Sequence, residues 1–153
     1  PPGSAIAMSG LFRAGSVACL GQTGKITMTD RHDKGLQIRR KVLGTAHVDR
    51  AEAAKTPFDT PFQQMITEAA WGTVWAGDAI TPRERSMLTL ALLAAQGMDD
   101  EFMMHVRATA NTGASPQDVR EALMHVAIYA GVPRANHALK LARQVFAEMG
   151  IEV

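Results

Sequence analysis

The segment that most constrains this chain is TPRERSMLTLALLAAQG, residues 81–97. Thr81-Pro82-Arg83-Glu84 is a capping box with proline at the first helical position, a strong start signal. Gly97 provides the matching stop. Between them, Met87–Ala95 is apolar nearly all round. A helix with no polar face belongs in the centre of a core or between subunits. The chain is therefore expected to fold around helices and to associate.

The other punctuation agrees. A helix is predicted over Leu36–Leu43, closed by Gly44. A connector, GTAHVDRAEAAKTPFD, follows, carrying His47, Asp49 and Arg50. Another helix starts near Asp59 or Thr60, with Pro61 in its first turn. Its apolar stripe is Phe62, Met65, Ile66, Ala69 and Ala70, running towards Trp71. Asp99 and Asp100 suit the start of EFMMHVRATAN, where negative charge meets the positive helix end. Ser115-Pro116-Gln117-Asp118 caps a helix with Val119, Leu123, Val126 and Ala127 on one face. Gly131-Val132-Pro133 precedes a last amphipathic helix with Ala138, Leu139, Leu141, Ala142, Val145 and Phe146. Strand signals are weak, with no Asn-Gly or Asp-Gly hairpin. The expectation is an all-α domain of about six helices over residues 28–153.

Residues 1–27 read differently. Arg13 and Lys25 are their only charged side chains, and no period is sustained. The opening PPGS resembles a cloning scar, so this stretch is expected to be a non-native leader with Met28 as the natural start. Cys19, the single cysteine, lies inside it. One cysteine excludes an internal disulfide framework. Sixteen Lys+Arg against fifteen Asp+Glu leave no basic field for nucleic acid or an anionic membrane. No apolar run approaches the roughly 18 residues of a spanning helix. A cytoplasmic protein is expected.

Glu101 and His105 are four apart and share a helix face, the spacing of a carboxylate–imidazole proton-transfer pair. The same spacing also describes an ordinary solvated face. His47 is the other informative histidine, because functional side chains concentrate in connectors. His32, His125 and His137 read as surface or packing residues. Arg39, Arg40, Arg50, Arg85 and Arg134 are the candidate anchors for a carboxylate, since the guanidinium fork takes both oxygens. Trp71 and Trp75 either wall a cavity or pack the core. No HExxH spacing occurs, and one Glu/His pair supplies too few ligands for a metal. GxGxxG, Walker and GxSxG motifs are also absent.

Taken together, LQIRRKVLGTAHVDRA, WGTVW, TPRERSMLTLALLAAQGMDDEFMMHVRAT and YAGVPRANHALKLA resemble the carboxymuconolactone decarboxylase family, from about Gly35 to Phe146. The wider alkylhydroperoxidase D-like superfamily implies the same all-helical fold. Its peroxidases carry Cys-x-x-Cys-x-x-x-His and an upstream glutamate. Laid onto this chain, that histidine falls on His105, the cysteines on Met98 and Glu101, and the glutamate on Ser86. Thioether and carboxylate cannot exchange disulfides, so the redox reading fails.

The resemblance implies cofactor-independent loss of CO2 from a small anionic lactone, 4-carboxymuconolactone, giving 3-oxoadipate enol-lactone. It implies Glu101 and His105 as the proton-transfer pair and His47 as a donor to the lactone oxygen or a carboxylate. Arg40 and Arg85 become carboxylate anchors, and Trp71 an apolar wall. A homo-oligomer, a hexamer, is implied as well. The rival readings are another thiol-independent lactone enzyme of this fold and a non-catalytic helical oligomer that binds a small ligand.

Overall fold

The computed structural model describes residues 28–153, so the leader reading and Cys19 lie outside the described residues. In chain order the elements are α1 (Met28–Leu43), α2 (Thr45–Ala53), α3 (Thr60–Ile66), a π-helix (Thr67–Trp75), α4 (Pro82–Gln96), α5 (Asp99–Arg107), α6 (Thr109–Thr112), α7 (Pro116–Tyr129) and α8 (Val132–Glu148). No strand occurs among the described residues. The all-α expectation holds.

Both predicted caps are present. Thr81 and Ser115 accept the amide hydrogens of Glu84 and Asp118, and both acidic side chains reach back to the cap residue. Arg83 ties these two starts together by pairing with Asp118 across α4 and α7. At the far end of α4, Gly97 turns left-handed at φ 73°. The Arg134 guanidinium lies over it, where a Cβ would collide. A cation there meets the negative end of the helix.

The larger apolar cluster joins α4, α5, α7 and α8, with Leu90, Phe102, Val106, Leu123 and Val145 essentially inaccessible. The predicted stripes of α7 and α8 supply much of it. A smaller cluster gathers Val42, Trp71 and Ala108, with Ile38, Leu43, Ala70 and Trp75 beside them. Here α1 crosses the π-helix so closely that only glycine fits. A Cβ on Gly35 would strike the Thr67 carbonyl, and one on Gly72 would strike the Arg31 carbonyl.

Four expectations need correction. Helix α1 begins at Met28, two turns before Leu36. The segment read as a connector is largely helix α2, so His47 sits on a helix; Val48 is its one buried residue. With so little apolar pattern, periodicity could not reveal it. The stretch around Trp71 is a π-helix, and with α6 the count rises to eight α-helices plus one π-helix among the described residues. Finally, the stripe predicted from Phe62 to Ala70 reaches the core only at its end, where Ala70 packs against the smaller cluster. Phe62 and Met65 are more than half exposed, and α3 buries no residue.

The surface is apolar in other places too. Helix α4 buries Ser86, Leu90 and Ala94 but exposes Leu88 and Leu92, while α7 exposes Met124, Ile128 and Tyr129.

Candidate active site

The two clusters meet at His105. The π-helix presents Trp71 and Trp75 with ring centroids 5.4 Å apart and planes within 25°. The His105 ring, carried by α5, lies 6.4 Å from Trp71 and 6.1 Å from Trp75, inclined by 10° and 16°. Three flat rings thus line the seam. A π-helix inside a helical segment often marks a functional site. This one is held partly by the Thr73 hydroxyl, which donates to the Glu68 carbonyl five residues back at 2.9 Å.

His105 is 7% exposed, and its Nδ1 is buried without a hydrogen-bond partner. Burial pushes its pKa down to about 4; the nearby Glu101 carboxylate opposes this, and His47 adds to the depression. The imidazole is therefore neutral at neutral pH. These influences place His47 and Glu101 within electrostatic range of the ring.

Glu101 stands in the first turn of α5 and is exposed. It influences His105 through charge, with no hydrogen bond between them. His47 is half-buried on α2. Arg85, half-buried on α4, lays its guanidinium against Gly77, just beyond the π-helix. Its Nε is buried with no acceptor. Ser86 is wholly buried, and its hydroxyl also lacks a partner. Trp71 is buried at the seam.

Arg40 differs from the expectation. Its Nε and Nη2 both donate to Asp49 Oδ1, at 3.0 and 2.9 Å. The adjacent Arg39 is the buried one, 3.5 Å from Glu52, whose other carboxylate oxygen takes Lys55. This pairing fixes α2, and with it His47, against α1. The Arg-Arg dipeptide gave no sign of which arginine would turn inward. Trp75 was legible only as a possible wall, through its spacing from Trp71. Arg134 serves the α4 terminus, while His125 stacks on Tyr129 and His137 contacts Asp99.

A neutral, water-poor imidazole with a carboxylate one turn away suits proton transfer to or from a bound acid. Met98 and Glu101 occupy the positions where thiols would be needed for redox work. The arrangement is that of an all-helical scaffold whose buried imidazole suits acid–base chemistry.

The comparisons make this specific. The profile of the carboxymuconolactone decarboxylase family matches residues 60–144. A 4-carboxymuconolactone decarboxylase of Acinetobacter baylyi is 39% identical over 121 residues, covering 79% of this chain and 90% of that protein. A nitrosuccinic acid decarboxylase of Metarhizium robertsii is 38% identical over 117 residues, covering 76% and 82%. A 4-carboxymuconolactone decarboxylase of Pseudomonas putida is 52% identical over 42 residues, or 28% of this chain and 88% of that one. The chain belongs to the carboxymuconolactone decarboxylase family, and it is a carboxy-lyase.

Proposed function

We propose that this enzyme converts 4-carboxymuconolactone to 3-oxoadipate enol-lactone and CO2 in protocatechuate breakdown, without an added cofactor. The observation that carries the reading is the buried, neutral His105 stacked on two indoles with Glu101 one turn away. Similarity to the named decarboxylases supports it from another direction.

The electronics need only a shaped pocket. The departing carboxylate sits on a carbon conjugated, through the ring double bond, to the lactone carbonyl. When the C–CO2 bond breaks, its electron pair flows to the carbonyl oxygen as a dienolate. A proton then enters at the carbon next to that carbonyl, so each turnover consumes one proton. Arg85 holds a substrate carboxylate. Arg40 contributes only by exchanging Asp49 for substrate. His47 donates to the lactone oxygen, a contact type worth about 10²–10³ in rate.

The free enzyme keeps His105 uncharged, and an anionic substrate opposes this. One negative charge about 6 Å away, at an effective dielectric of about 20, favours the imidazolium by about 3 kcal/mol. That is roughly a hundredfold in proton affinity. Substrate binding thus raises the share of imidazolium available to protonate the dienolate, and Glu101 steadies it.

Nitrosuccinic acid is the second reading, favoured by the similarity to the Metarhizium enzyme. Its nitro group plays the part of the lactone carbonyl as electron sink. Incubation with each acid separately, following CO2 release, separates the two. Turnover of 4-carboxymuconolactone at least a hundredfold more efficient than that of nitrosuccinate is expected, and absence of CO2 from the lactone refutes the proposal.

We also propose that the chain works as a homo-oligomer, a hexamer. The support is the exposed apolar surface of α3, α4 and α7. Burying Leu88 or Leu92 fully would contribute about 1.5–3 kcal/mol each. Light scattering tests the subunit number, and a monomer at working concentration refutes it.

A further inference from the structure

Away from the His105 cluster, a cavity of about 310 Å³ opens between the first two turns of α7 and the second half of α8. Its floor is apolar: Val119, Ala142 and Phe146 belong to the larger core cluster, and Leu139 packs against them. Two cations border it, Arg120 and Arg143; no aspartate or glutamate side chain lines it, and the one negative group on its border is the terminal carboxylate of Val153. Among the described residues Arg120 is engaged only by its neighbour Glu121, at 3.0 Å in an exposed contact. Such pairs are weak and readily exchanged. Arg143 makes no ion pair among the described residues. The opening turn of α7 forms one wall, so its positive helix end adds to the same potential.

An apolar floor with two guanidinium groups at the mouth complements an amphiphile bearing one negative group. The volume falls at the small end of the range for ligand sites, about 300–1,000 Å³. We propose that this cavity is a second ligand site, taking a small hydrophobic monocarboxylate. Its hydrocarbon or aryl body rests on Val119 and Phe146, and its carboxylate lies between Arg120 and Arg143. The site shares no residue with the cluster of His47, Trp71, Trp75, Arg85, Glu101 and His105. It therefore stands or falls independently of the reaction proposed above.

Calorimetric titration of the full chain with octanoate, and with octanol as its uncharged counterpart, tests the assignment. Octanoate is expected to bind once per chain and at least tenfold more tightly than octanol. Arg143→Glu should weaken octanoate at least tenfold, and Leu139→Trp should fill the space and abolish binding. Helical circular dichroism and CO2 release should stay at wild-type levels in Arg143→Glu. Equal binding of octanoate and octanol, or unchanged octanoate affinity in Arg143→Glu, overturns the proposal. So does octanoate acting only by splitting a larger assembly in light scattering, because the cavity's occupant would then be a second copy of the chain.

Discussion

Acid should destabilise this protein through His105 in a way that one substitution removes. The folded imidazole has a pKa of about 4, against an ordinary 6.5, because it is buried. As pH falls below 6.5, the unfolded chain takes up a proton here while the folded chain does not. Stability is lost across that window until the folded ring also protonates near pH 4. The gap amounts to about 3 kcal/mol at its full extent, most of it already lost at pH 4.5. His105→Gln removes the titrating ring. Urea unfolding at pH 7 and pH 4.5 should therefore show a difference about 2–3 kcal/mol smaller in the variant than in the wild type. NMR titration of the ring reads the same quantity directly. A saturating, unreactive dicarboxylate should move the midpoint upward, because its negative charge favours the imidazolium. A midpoint at 6.5 in the free enzyme, or identical acid sensitivity in both proteins, would refute the claim that the seam excludes water.

Other predictions follow from the same geometry. Glu101→Gln should leave the urea midpoint unchanged, since the side chain is exposed, and lower kcat by about 10²–10⁴; wild-type turnover removes Glu101 from the chemistry. His47→Ala should lower kcat/KM by about 10²–10³ in steady-state assays if it donates to the lactone oxygen, and unchanged kinetics remove it from the pocket. Gly72→Ala should destabilise by about 1–3 kcal/mol or more in thermal unfolding, because its Cβ meets the backbone of α1. Leu92→Glu combined with Ile128→Glu should lower the mass seen in light scattering while the far-ultraviolet helix signal persists.

The parts of the fold written in local chemistry were legible. Thr81 and Ser115 announce their helices through hydroxyl and carboxylate placement, and α7 and α8 through a continuous apolar stripe. What escaped depends on tertiary docking. Helix α2 is polar along most of its length, and its place is fixed by Val48 and the Arg39–Glu52 pair. The π-helix obeys no 3.6-residue rule, so the apolar residues before Trp71 suggested one continuous core stripe, of which Phe62 and Met65 face outward while Ala70 packs against the smaller cluster. Glu101 and His105 were recognisable from their spacing. Their unequal burial was not, because it comes from indoles some thirty residues earlier in the chain.

Because the imidazole sits where two apolar clusters meet, the chemistry proposed for it depends on a joint as well as on a scaffold. Prying α1 and the π-helix away from α5 would let solvent reach the ring while the four-helix body kept its shape. Catalytic competence should then vanish at a lower denaturant concentration than helicity does. An enzyme arranged this way should stop working before it stops being folded.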